Sequence, residues 1–165
     1  MRRVFSLIVD NSSGVLSRVA GLFSRRGYNI DSLTVGETAD PRFSRMTVVS
    51  IGDEDTLDQI VKQLRKLEDV RDIQVLEEGK SVFREIIMIK VKANASQRQD
   101  IAALCDIFRA TIVDVAKDCL TVMLTGDNSK LEALSNLLSD YEVLELARTG
   151  LTALSRGSED VVVLN

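Results

Sequence analysis

The sequence predicts an α+β fold of two tandem βαββαβ sandwiches, and three observations lead there. The order strand, helix, strand, strand, helix, strand is legible in the first 80 residues and legible again after residue 84. Each element declares itself by a switch in hydrophobic period between two and about 3.6 residues. The 165 residues then divide into halves of roughly 75, close to the smallest size that buries its own core. The predicted boundaries are 1–78 and 84–165.

In the first half, residues 3–9 form a β-rich run. Val15, Leu16, Val19, Leu22 and Phe23 fall on one face of a helix. Gly27 stands where a left-handed C-terminal cap belongs. Ile30, Leu33 and Val35 mark a second strand whose inward parity shifts once, as at a bulge. Glu37–Ser44, with the single proline Pro41, is a loop, and Met46 to Ile51 is the third strand. Asp53 caps a second helix with acidic residues in its first turn and basic ones in its last, buried through Leu57, Ile60, Val61 and Leu64. Val70 to Leu76 close the unit.

The second half repeats this order. Ile86–Val91 is a strand, and Ser96 with Gln99 resembles a capping box ahead of a helix buried through Ile101, Leu104, Cys105 and Phe108. Thr111–Ala116 and Leu120–Thr125 pair across Lys117-Asp118. Leu131, Leu134 and Leu138 mark the last helix, and Val143–Ala147 the last strand. The tail from Gly157 to Asn165 ends in an apolar stretch that fits an edge strand or a frayed end equally. Right-handed crossovers place both helices of each unit on one sheet face, so the opposite face must be polar or covered.

Composition narrows the function. With 45% hydrophobic and 28% charged residues and a net charge of −4, the chain reads as globular, with no concentration of one charge sign that would mark a nucleic-acid surface. No apolar run is long enough to span a bilayer, and Met1-Arg2-Arg3 leads directly into a strand, so a cytoplasmic location is expected. There is no histidine, which removes the commonest general base and metal ligand. Cys105 and Cys119 are not in a CxxC arrangement and read as reduced structural thiols.

The most distinctive local feature is Asp10-Asn11-Ser12-Ser13-Gly14-Val15-Leu16, a strand-to-helix turn. A helix N-terminus carries free N–H groups and about half a positive charge, which attract carboxylates or phosphates. Gly14 lets a ligand approach the backbone, and the Asn11 amide offers both acceptor and donors. Asn29 is a second candidate, at the start of an edge strand open to a second subunit. On spacing alone, a plain turn with an N-cap accounts for these residues as well.

A resemblance bears on that choice. The string Gly14-Val-Leu-Ser-Arg-Val-Ala-Gly-Leu-Phe-Ser-Arg-Arg-Gly-Tyr-Asn-Ile-Asp-Ser-Leu-Thr-Val35, followed by Ser44-Arg-Met-Thr-Val48, resembles the small regulatory subunits of acetohydroxyacid (acetolactate) synthases. Arg84-Glu-Ile-Ile-Met-Ile-Lys-Val91 and Glu145-Leu-Ala-Arg-Thr-Gly150 extend the likeness over nearly the whole chain. The resemblance implies two ferredoxin-like units, an N-terminal ACT domain for amino-acid binding and dimerisation and an ACT-like C-terminal domain that contacts the catalytic subunit. It implies a chain without a catalytic site that activates a large catalytic subunit and confers feedback inhibition by valine in branched-chain amino-acid biosynthesis. Thiamine diphosphate, Mg and FAD belong, on this reading, to the catalytic partner, a transferase. The implied valine-binding residues are Asn11, Gly14, Val15, Leu16, Asn29 and Ile30, with Val15 and Leu16 contributing backbone; no catalytic or metal-ligating residue is implied. Ser12-Ser13 departs from the acidic residue or proline common before the family's glycine, and the equivalent turn in the second half, Lys92-Ala-Asn-Ala-Ser-Gln97, lacks the glycine.

Two rival classes fare worse. An RNA-recognition module of the same topology needs aromatic residues on its first and third strands, and the third, Arg45-Met-Thr-Val-Val-Ser-Ile51, has none. An independent enzyme would need carboxylates such as Asp10 or Asp31 oriented beside a nucleophile, and no such pattern stands out. A regulator of the same class serving a different amino-acid pathway is the remaining alternative.

Overall fold

The computed structural model describes residues 1–164; Asn165, the last residue of the predicted second domain and of the apolar tail, lies outside the described residues. Two compact units are present: the first comprises Met1–Val82 together with the chain from Leu151 onward, the second Phe83–Gly150.

The first unit contains β1 (Arg2–Asp10), α1 (Val15–Arg25), β2 (Ser32–Glu37), β3 (Phe43–Ile51), α2 (Glu54–Leu64) and β4 (Val70–Leu76). Its sheet is antiparallel with order β2-β3-β1-β4, the arrangement that a βαββαβ chain with right-handed crossovers must adopt. Alternation divides each strand between two faces. Phe5, Leu7 and Val9 of β1 and Met46 and Val48 of β3 turn inward and meet Val15, Val19, Leu22 and Phe23 of α1 and Leu57, Ile60 and Leu64 of α2. Asp53 caps α2 by accepting from the Thr56 N–H at 2.7 Å. Gly27, with φ +67°, ends α1 in a left-handed turn in which the Tyr28 N–H returns to the Phe23 carbonyl at 2.9 Å.

The second unit is built from β5 (Ser81–Lys92, whose first two residues lie in the first unit), α3 (Ala95–Phe108), β6 (Thr111–Val115), β7 (Cys119–Gly126), α4 (Asn128–Leu138) and β8 (Val143–Arg148). Its sheet order β6-β7-β5-β8 repeats that of the first. Ile87, Ile89 and Val91 with Leu120, Val122 and Leu124 pack on Ile101 and Cys105 of α3 and on Leu131, Leu134 and Leu138 of α4. Cys105 is buried and Cys119 half-buried, and neither is in a disulfide. Burial pushes the Cys105 thiol pKa up, which keeps it an apolar core residue.

Two local expectations need correcting. The second strand has no bulge: β2 pairs with β3 without a register shift, and Ile30 precedes it in an irregular connection. The shifts fall instead at Ile8/Val9, Lys90/Val91 and Ile112/Asp114. The α3 capping box is formed by Asn94 and Gln97, not by Ser96 and Gln99. The chain from Leu151, within the span 84–165 read from the sequence as the second domain, groups with the first compact unit. Its anchor is local: the Leu151 N–H donates to Ser32 Oγ and its carbonyl accepts from Thr34 Oγ1, both at 2.8 Å. A ninth strand, β9 (Thr152–Ser155), follows and pairs with β5. Leu151 and Ala153 are buried while Thr152 and Leu154 are exposed, the alternation of a strand covered on one side.

Candidate functional site

The turn between β1 and α1 is fixed from both sides. The Asn11 N–H donates to the Arg42 carbonyl at 2.8 Å. The Asn11 side-chain amide donates to the Pro41 carbonyl at 2.9 Å and to Glu37 Oε2 at 3.1 Å, which leaves its own oxygen available as an acceptor. Gly14 is the N-cap residue of α1 at φ +86°, ψ −8°, a left-handed conformation that costs a residue with a Cβ about 1 kcal/mol or more.

α1 begins without a side-chain cap, whereas Asp53, Asn94 and Asp127 cap α2, α3 and α4. Val15 reaches the Ser12 carbonyl at 3.5 Å, and the first regular helical bond runs from the Arg18 N–H to the Gly14 carbonyl at 3.0 Å. Among the described residues the N–H groups of Leu16 and Ser17 find no acceptor in the chain. Such groups stay hydrated or bind an anion. The Val15 side chain is buried in the core, leaving only its backbone at the turn, while the Leu16 side chain is exposed.

Sequence reasoning missed the charges around this turn. Arg18 stands one helical turn after Gly14, and a Cβ on Gly14 would lie 2.9 Å from its Nη1. The Arg18 Nε donates to Asp69 Oδ2 at 2.5 Å; that hydrogen bond raises the arginine pKa and lowers that of Asp69. Arg71 grips Asp10 through two bonds of 2.6 and 2.8 Å. The i, i+4 spacing from Gly14 to Arg18 was a usable signal. The Asn11–Glu37 contact was not, because it depends on the register of β2 on β3.

The structure separates the predicted site residues into two groups. Asn11, Gly14, Val15 and Leu16 lie together at the end of β1. Asn29 and Ile30 lie beyond the opposite end of the sheet: the Asn29 carbonyl accepts from Ser50 Oγ at 2.5 Å, whereas Asn11 is tied to residues 41 and 42. From Ser50 back to Phe43 is a strand run of about 23 Å at roughly 3.3 Å per residue. The Asn29 side chain is exposed, and Ile30 packs against the core of its own unit. One copy of the chain therefore cannot bring Asn11 and Asn29 to the same amino-acid-sized ligand.

No group of three or more His, Cys, Asp or Glu is placed to hold a metal ion among the described residues. Nor is any described helix long and apolar enough to cross a membrane.

Comparison with known proteins gives the context for this turn. The model of the small-subunit-like ACT domain of acetohydroxyacid synthase matches residues 5–72, and the model of the small subunit of acetolactate synthase matches residues 84–157. A probable acetolactate synthase small subunit from Methanothermobacter thermautotrophicus is 50% identical over 156 residues, covering 94% of this chain and 93% of that protein. The small subunit of acetolactate synthase isozyme 3 from Escherichia coli is 47% identical over 160 residues, covering 96% and 98%. The crystal structure of the acetolactate synthase small subunit from Thermotoga maritima superimposes with a TM-score of 0.88 at 40% identity, over 95% of this chain and 98% of that one. An ACT domain followed by a second unit of the same topology, matched over nearly its full length at this identity, makes the chain a member of the acetolactate synthase small-subunit family.

Proposed function

We propose that this chain is the feedback sensor of its synthase: it binds L-valine or a related branched-chain amino acid at the α1 turn, activates the large catalytic subunit, and carries the inhibitory signal to it. The chemistry itself, condensation of two 2-keto acids with thiamine diphosphate, Mg and FAD, belongs on this reading to the catalytic subunit. The observation that carries the proposal is the uncapped start of α1 at Gly14: among the described residues it is the one helix of the four with no side chain accepting from its first-turn N–H groups. The ligand carboxylate accepts from Leu16 and Ser17 N–H, aided by the helix dipole and by Arg18. The ammonium is held by the oxygen of Asn11, whose amide Glu37 and Pro41 keep in one orientation.

The separation of the two asparagines supports a homodimer. β2 is an edge strand, and two such edges paired about a two-fold axis run antiparallel. The start of one β2, preceded by Asn29, then lies beside the end of the other, where Glu37 holds Asn11. Asn29 of one copy thus closes the pocket whose floor is the Gly14 turn of its partner. Ligand at that seam biases the packing of the pair, and a coupling of about 1–3 kcal/mol is enough for strong feedback. The second unit is assigned to the catalytic subunit. Every residue of its edge strand β8 is exposed, Leu144 and Leu146 included, and edge pairing plus apolar contact suits a permanent partner. A cytoplasmic site of action accords with these partners.

Calorimetry of the chain against L-valine, L-isoleucine, L-leucine and D-valine tests the proposal. Saturable binding of an L-branched amino acid, absent for D-valine, is expected. Absence of binding both to the chain alone and to its complex with the catalytic subunit sinks it.

A further inference from the structure

On the first sheet, Arg45 and Thr47 of β3 point away from the helices, since Met46 and Val48 between them lie in the core. Thr34 and Gly36 of β2 pair with Thr47 and Arg45 and share that face. With Thr152, Ala153 and Leu154 of β9 they line a cavity of about 400 Å³ within the first unit. The Arg45 guanidinium is half-buried here, and its one hydrogen bond among the described residues goes to Ser6 Oγ at 2.5 Å. No carboxylate comes within 4.0 Å of it among those residues; Asp72, placed across Ile8 on the far side of β1, acts on it only at a distance. Burial lowers the arginine pKa, as expected of a cation short of acceptors. Glu37 also borders the cavity, but it alternates to the opposite face from Gly36, and its carboxylate accepts from Asn11.

A guanidinium has five donors in a planar fork that matches a carboxylate or a phosphate. Arg45 uses one of them on a neutral hydroxyl, while Thr47 offers a hydroxyl on the same face. Gly36, directly opposite Arg45 in the strand register, keeps the space beside it open: a Cβ built there meets no heavy atom within 4 Å. We propose that this cavity binds a small oxyanion through Arg45, either free phosphate or a phosphoryl group or the carboxylate of a metabolite, at a place separate from the α1 turn. The site gives the regulatory subunit a second input, one that reads an anion rather than a branched side chain.

Inorganic phosphate and acetate, titrated separately into the full chain by calorimetry, test this. The expected result is saturable binding of at least one of them, weakened at least about tenfold by Arg45→Met, the loss of one charge-assisted interaction. Gly36→Leu keeps the guanidinium but fills the space beside it, and the same loss is expected there. Should Arg45→Met fail to fold by circular dichroism, Gly36→Leu decides alone. Phosphate without acetate identifies a phosphoryl ligand, and acetate without phosphate a carboxylate. Saturation by neither anion overturns the proposal, and so does binding that Gly36→Leu leaves unchanged, since that anion would be held elsewhere.

Discussion

The turn after β1 and the turn after β5 occupy the same place in two copies of one topology, yet they end differently. At the second, Asn94 Oδ1 accepts from the Gln97 N–H and Gln97 Oε1 accepts from the Asn94 N–H, both at 2.9 Å. That reciprocal box pairs the Gln97 and Asn94 N–H groups from within the chain. At the first, Gly14 supplies no side chain, and the N–H groups of Leu16 and Ser17 stay open. A cap stabilises its helix by roughly 1 kcal/mol, so its absence at α1 has a cost that a bound carboxylate would offset. Of these two turns, the first is the one whose helix starts without a side-chain acceptor.

The largest expected effect comes from putting an anion permanently at the open turn. Gly14→Asp places a carboxylate within reach of Arg18 and of the free N–H groups. Loss of charge-assisted bonds of about 1.5–3 kcal/mol each weakens L-valine binding by about a hundredfold or more. Calorimetry reads this directly, and an unchanged affinity removes the turn from the site. Asn29→Ala weakens binding too, and the two variants together test the two-copy geometry. Mixing the two chains after unfolding and refolding leaves, in each mixed dimer, one site with both Gly14 and Asn29 intact; random pairing therefore restores about a quarter of the parent's binding capacity. If each site is built from a single chain, no capacity returns.

At the closed turn the prediction concerns stability alone. Asn94→Ala removes the side-chain acceptor of the Gln97 N–H, leaving the Asn94 backbone N–H its Gln97 partner, and costs about 1 kcal/mol in urea unfolding. On the proposed site, L-valine affinity is expected to stay at the parent value, because α3 lies outside the α1 turn. A loss of valine binding there would erase the distinction between the two turns.

Much of this contrast was legible in the sequence, and the part that was not has physical reasons. Element order, buried stripes, the Gly27 turn and the Asp53 cap follow from period and side-chain chemistry within a few residues. Gly14 between a strand and a helical stripe was legible for the same reason. The α3 box was misplaced by two residues because Asn94–Gln97 and Ser96–Gln99 have equivalent spacing. The end of β5 decides between them: the Ala93 N–H is bonded to the Asp118 carbonyl, so the chain first turns at Asn94. The course of the tail was hidden because β9 is four residues long, too short for a period-two signal to stand out, and its anchor at Ser32 and Thr34 is remote in sequence. The distance between Asn11 and Asn29 likewise needs the sheet register, which no local pattern supplies.

Acid sharpens the comparison most gently. The caps of α2 and α4 are carboxylates, Asp53 and Asp127, held below their ordinary value of 3.8 chiefly by the backbone N–H of Thr56 and of Lys130. A carboxylate whose folded pKa is depressed stabilises the fold above its unfolded pKa, and that contribution disappears as pH falls through the lower folded value. The Thr56 and Lys130 amide resonances should therefore move together with the titration of their caps, with midpoints under 3.8. At α3 the cap is an amide and does not titrate, and at α1 no side chain caps the turn. The Gln97, Leu16 and Ser17 amides should hold nearly still over the same range in the ligand-free protein. With L-valine bound, the Leu16 and Ser17 amides acquire a titration of their own, that of the ligand carboxylate, and α1 then behaves in acid as α2 and α4 do. Amides at α1 that titrate without ligand would reveal a hidden internal cap and remove the reason to call this turn open.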